Sequence, residues 1–174
     1  MNKQELSKKL SNTVGKMVSS VENLDNEYFF RRLGDKWSIG ENMVHLAKST
    51  KAFNNALVLP KPMIANFGKV ERPYRSYDEV VAHYHAVLAT GVRATGGVEP
   101  NLSEGDFNMN ETIARFKKQH DALIGHLDNW TDEELDEFSV PHPVLGLLSL
   151  REMFYFMDYH TSHHQVAIDR ILQA

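Results

Sequence analysis

Hydrophobic positions recur at steps of three and four along most of the chain, the spacing that lays side chains on one face of an α-helix. Leu6, Leu10, Val14, Met17, Val21 and Leu24 mark a first helix over about residues 3–24. Ile39, Leu46, Phe53 and Leu57 mark a second, opened by Trp37-Ser38 and closed near Leu59 by Pro60-Lys61-Pro62. A third starts near Ser76 and turns Tyr77, Val80, Val81, Tyr84, Val87 and Leu88 inward, which leaves His83 and His85 on the surface. Ile113, Phe116, His120, Leu123, Leu127 and Trp130 place a fourth at about 109–129. Leu150, Met153, Met157, Ile168 and Ile171 give the last, Ser149 to Leu172.

Helix starts carry their own signals. Ser38 with Glu41, and Ser149 with Glu152, are capping boxes in which hydroxyl and carboxylate each satisfy an unpaired first-turn amide. Asn108 with Glu111 offers a further cap, and Leu148 can staple against Met153. Asn26 to Lys36 reads as a polar connection, and residues 60–75, with three prolines, as a long one of the kind that covers or lines a pocket. Gly91 to Gly105 is a second irregular connection, Thr131 to Glu134 begins a short helical turn, and Pro141 to Gly146 is a turn-rich lead into the last helix. No segment sustains strand alternation. The pattern predicts an all-α chain, an antiparallel helical bundle in one domain spanning 1–174.

Composition narrows the function classes. A formal charge of −4 without a Lys/Arg cluster argues against a nucleic-acid surface. There is no apolar run of roughly 18 residues and no apolar leader, so a cytoplasmic protein without a membrane span is expected. The absence of Cys removes disulfides, thiolate catalysis and Cys-ligated zinc, and leaves His and carboxylate as candidate ligands.

Candidate chemistry then centres on Tyr159-His160-Thr161-Ser162-His163-His164. At about 100° per residue, His160 and His164 fall in the middle of the apolar stripe and His163 at its edge. In a chain with nine His the spacing alone is weak, so position carries the argument. Two interior imidazoles one turn apart either hold a metal or join a hydrogen-bonded network, because unpaired they are costly. His120 is also interior, a competing third ligand or a core His bonded to a neighbour. His45 lies on the shoulder of the second helix beside Asn42, Ser49, Ala52 and Ala56, which suits a pocket wall, although the pattern by itself favours exposure.

Trp37-Ser38-Ile39-Gly40-Glu41-x-x-x-His45-Leu46, combined with His160-x-x-His163-His164, resembles the DinB/YfiT-like superfamily of metal-dependent enzymes. The resemblance implies a four-helix bundle in up-down-down-up order with extra short helices. It also implies a divalent metal held by His45, His160 and His164; zinc and nickel both suit imidazole ligation. Family members with known activity include bacillithiol S-transferases and mycothiol-dependent maleylpyruvate isomerases, so the reading is a thiol S-transferase or a hydrolase acting on a small molecule. With no Cys in the chain, a thiol nucleophile would arrive as a low-molecular-weight cosubstrate. Glu41, His120 and His163 are the weaker candidates for acid/base work, with Glu41 better explained by its cap. The alternative is a non-catalytic, stress-linked metal-binding or ligand-binding bundle. A homodimer is the expected assembly.

Overall fold

The computed structural model describes residues 1–93, 96–100 and 108–174. Four long helices dominate it: α1 (Lys3–Val21), α3 (Ile39–Leu57), α6 (Met109–His126) and α8 (Leu150–Leu172). Shorter elements join them: α2 (Asn26–Phe30), α4 (Lys61–Ala65), α5 (Tyr77–Leu88), α7 (Asp132–Glu137), and strands β1 (Ser139–His142) and β2 (Gly146–Ser149). The chain is mostly helical. Among the described residues α3 packs most extensively on α6, α1 on α8, and α5 lies against α8.

The expected capping boxes at Ser38/Glu41 and Ser149/Glu152 are both formed, and further boxes stand at Asn2/Glu5, Ser76/Glu79 and Thr131/Glu134. At α6 Asn108 accepts from the Glu111 amide.

Three local readings change. The first helix stops at Val21, and Asn26 to Phe30, read as connection, forms α2 because Asp25 caps it and Phe29 inserts into the core. The turn-rich lead into α8 is an antiparallel hairpin, with Val140 opposite Leu148 and Ser139 opposite Ser149. Two four-residue strands are too short to show alternation in sequence. Gly146 (φ 76°) takes the left-handed conformation where the chain re-enters β2, and Pro141 is tolerated because a two-stranded sheet is all edge. The long connection after Leu59 contains α4, with Ile64 buried. Residues 94, 95 and 101–105 of the Gly91–Gly105 connection lie outside the described residues.

Buried apolar side chains form two clusters. One joins Leu6 and Leu10 of α1, Phe53 and Leu57 of α3, Leu123 of α6 and Leu150 to Met157 of α8. The other joins Val14 to Val21 of α1, Ile39 to Leu46 of α3, Ile113 and Phe116 of α6, and Ile168 and Ile171 of α8. Between them runs a buried polar layer: Asn42, His45 and Thr50 on α3, His120 on α6, and Asp158, His160, Thr161 and His164 on α8. Such a layer persists only where its groups find partners.

Glu152 fixes the start of α8. Its carboxylate accepts from Arg72 at 2.6 and 2.8 Å, from the Arg75 amide at 2.7 Å and from the Ser149 amide at 3.1 Å. Burial pushes its pKa up, but Arg72 and the two amides outweigh burial and hold it below its ordinary 4.5. A carboxyl depressed in the folded state stabilises above the unfolded pKa, and that contribution is lost as pH falls through the folded value. Glu152→Ala, which strands a partly buried Arg72, is expected to cost roughly 3 kcal/mol in denaturant unfolding at pH 7. The difference from wild type should shrink as the pH is lowered below about 4.5.

Candidate metal centre

His45 on α3 and His160 and His164 on α8 meet in the polar layer. Each ring is at least nine-tenths buried, and one ligand atom from each lies within 4.8 Å of the others. The Nε2 of His160 is 3.1 Å from Nε2 of His45 and 3.2 Å from Nε2 of His164. His45 is therefore an interior residue, contrary to the exposure that its shoulder position favoured. The reason is tertiary: α8 and the turn at Gly96–Val98 both close over that side of α3.

The outer nitrogens decide the tautomers. His45 Nδ1 lies 2.7 Å from the Val98 carbonyl, which can only accept, so Nδ1 carries the proton and Nε2 a lone pair. His164 Nδ1 lies 2.7 Å from Asn42 Oδ1. The Asn42 amide nitrogen donates to the Ser38 carbonyl at 2.8 Å, which orients its oxygen toward His164 and again leaves a bare Nε2. Two lone pairs thus face His160 Nε2. Proton-bearing or not, that one atom cannot satisfy both, and His160 Nδ1 is itself buried without a partner among the described residues.

Electrostatics point the same way. His160 and His164 are held well below the ordinary 6.5, by burial first and by the neighbouring imidazoles second. Burial lowers His45 too, and the Val98 carbonyl offsets that only in part. Three neutral imidazoles with convergent Nε2 atoms, the outer N–H groups of His45 and His164 held by a carbonyl and an amide oxygen, form a donor set suited to a divalent cation. Trp37 covers the trio: its ring lies 5.1 Å from His45 and runs parallel to His164 at 6.1 Å.

The family description "DinB superfamily" matches residues 10–168. The chain belongs to the DinB superfamily. No curated protein matches it.

The other candidates lie elsewhere in this DinB-superfamily chain. Glu41 is engaged by the Ser38 amide at 2.8 Å and by Arg32 in a two-bond ion pair. Burial raises its pKa, while Arg32 and the cap more than reverse this and hold it as a paired carboxylate. His120 shares the layer without joining the three. Its Nδ1 bonds the Phe116 carbonyl at 2.9 Å, and its Nε2 meets Thr50 and Thr161 hydroxyls at 3.2 and 3.3 Å. That is a satisfied core His. His163 is half-buried beside Tyr84 and His85, with its ring 5.4 Å from that of His164.

A cavity of about 280 Å³ opens against His45 and His160. Its walls are Phe53 and Ala56 of α3, Met153, Phe156 and Met157 of α8, and Tyr84 and Leu88 of α5, with the hairpin closing one side. His142 in that hairpin is a pocket residue the sequence did not single out, because a lone His between two prolines carries no periodic signal. The partners Val98 and Asn42 were equally silent in those roles.

Burial lowers the pKa of His120 to about 4, and the trio is likewise depressed. A His lowered in the folded state contributes stability that is present above the unfolded 6.5 and lost as pH falls toward the folded value. Metal-free protein should therefore lose stability steeply between pH 6.5 and about 4 in urea titrations. His120→Phe should show a limb shallower by about one proton.

Proposed function

We propose that this chain is a metal-dependent enzyme whose divalent ion is held by Nε2 of His45, His160 and His164. The observation that carries the reading is the convergence of three neutral ring nitrogens whose outer nitrogens at His45 and His164 are already committed. Zinc and nickel both suit imidazole ligation. Three protein ligands leave coordination open, and the cavity adjoining His45 and His160 provides space for a reactant there. A bound ion supplies Lewis acidity toward a thiol or water nucleophile, the chemistry of an S-transferase or a hydrolase.

The chain's own residues prepare that chemistry. Val98 and Asn42 hold two rings in the tautomer that presents a lone pair, and Trp37 keeps solvent from the back of the site. Phe53, Met153, Phe156 and Met157 give the reactant a dry wall. The chain has no thiol, so a thiol nucleophile would arrive as a low-molecular-weight cosubstrate.

The same reading takes the long helices as the family's bundle. Sharing of clusters supports this: the first half of α1 packs with the second half of α3 and α6 and the first half of α8, the order up-down-down-up. Among the described residues no helix is long and apolar enough to cross a membrane. A homodimer is part of the proposal, with small molecules as the other partners.

Elemental analysis of tag-free protein is expected to find about one zinc or nickel per chain, lost in His160→Ala and His164→Ala. Asn42→Ala, which removes the acceptor for His164 Nδ1, should weaken metal binding roughly 10–100-fold. Wild type that stays metal-free after reconstitution with either ion refutes the reading.

A further inference from the structure

His142 lines the cavity but belongs neither to the trio nor to its supports. Its Nδ1 accepts two backbone N–H bonds within its own hairpin turn, from Val144 at 3.2 Å and Leu145 at 3.1 Å. An imidazole nitrogen that accepts cannot bear the proton, so the proton sits on Nε2. Nε2, on the opposite edge of the ring from Nδ1, bonds no described residue, and His142 is one of the residues that line the cavity. The ring is held in place: it packs edge-on to Phe156 at 4.6 Å, and Phe156 stacks on His160 at 5.0 Å. Burial lowers the His142 pKa to about 4, which keeps the ring uncharged at neutral pH.

The surroundings define what such a donor would meet. Phe67, Val92 and Val144 are exposed apolar residues that line the cavity toward solvent. Ser49 and Tyr84 contribute hydroxyls that rotate and can donate or accept, and Arg93 is exposed. His142 alone combines a fixed direction with a donor-only role.

We propose that His142 Nε2–H is a specificity-determining hydrogen-bond donor that selects largely apolar molecules bearing a carbonyl oxygen and no cationic group. The inference rests on the reading of this cavity as the substrate site and names the class of electrophile it accepts. An apolar molecule enters past Phe67 and Val144, its body lies against Met153, Phe156 and Met157, and its oxygen bonds His142. A cationic group would lose its hydration against these walls, where no lining carboxylate can pair with it.

The test compares acetophenone with ethylbenzene, nearly the same shape with and without the acceptor. Binding is followed through the methyl resonances of Met153 and Met157. In His142→Phe the preference for acetophenone over ethylbenzene is expected to fall about tenfold relative to wild type, with ethylbenzene still bound. His142→Gln, which offers an amide N–H at a similar reach, should retain most of the preference. Nitrogen-15 spectra of the wild type should place the His142 proton on Nε2, a readout that needs no variant to fold. A preference unchanged in His142→Phe, or a proton on Nδ1, overturns the proposal. Metal content separates the two readings. A metal-free chain that shows the His142 effect refutes only the metal reading, and a metal-bearing chain without it refutes only this one.

Discussion

Three imidazole Nε2 atoms directed at one another inside a helical core are the constraint on which the rest of this structure depends. Left alone, such groups oppose folding, since the ring at the centre cannot satisfy both of its neighbours after all three have given up water. The surrounding structure holds them there. Asn42, one turn before His45 on α3, supports His164 from across the helix pair, and the Val98 carbonyl supports His45 from the turn outside it. The polar layer continues through His120, Thr50 and Thr161, where every ring nitrogen has a partner. The contrast within one layer is informative. Among the described residues His120 has a partner at each ring nitrogen, and the three His that could hold a cation do not.

Precise level matters for such a layer, and the helix starts set it. His45 stands two turns into α3, whose first residues are locked by Ser38, Glu41 and Arg32. His160 stands about three turns into α8, whose first residues are locked by Ser149, Glu152 and Arg72. In both helices a buried carboxylate does two tasks. It completes the cap and ties the helix start to an Arg from a preceding segment. A shift of one residue in either helix would rotate its His by about 100° away from the site.

The cavity is assembled from parts distant in sequence. α3 and α8 supply His45, His160 and most of the apolar wall, α5 adds Tyr84 and Leu88, and the hairpin before α8 closes the side with His142. The hairpin also links this wall to the helix that carries two of the three His, because β2 ends at Ser149, the α8 cap. The cavity wall and the helix that carries two of the three His are thus mechanically joined. Since the walls are apolar, recognition there depends on few polar groups, each with a defined direction.

Much of this was legible in the sequence because it follows from local rules. Helical periodicity located the long helices and the interior positions of His120, His160 and His164. Capping chemistry located the starts of α3 and α8, and the edge position of His163 followed from the 3.6-residue turn. His45 was legible only through its combination with the C-terminal His pair, since its own neighbours suited solvent as well as a pocket. The hairpin, α2, the support from Val98 and Asn42 and the place of His142 were not legible. Short strands carry too few residues for a period, and a hydrogen bond between residues tens of positions apart leaves no local trace. The sequence by itself determined which faces are buried and that His120, His160 and His164 lie on them, but not that His45 does. Only the tertiary structure decided which nitrogen of each ring points inward, because that depends on partners brought from other elements.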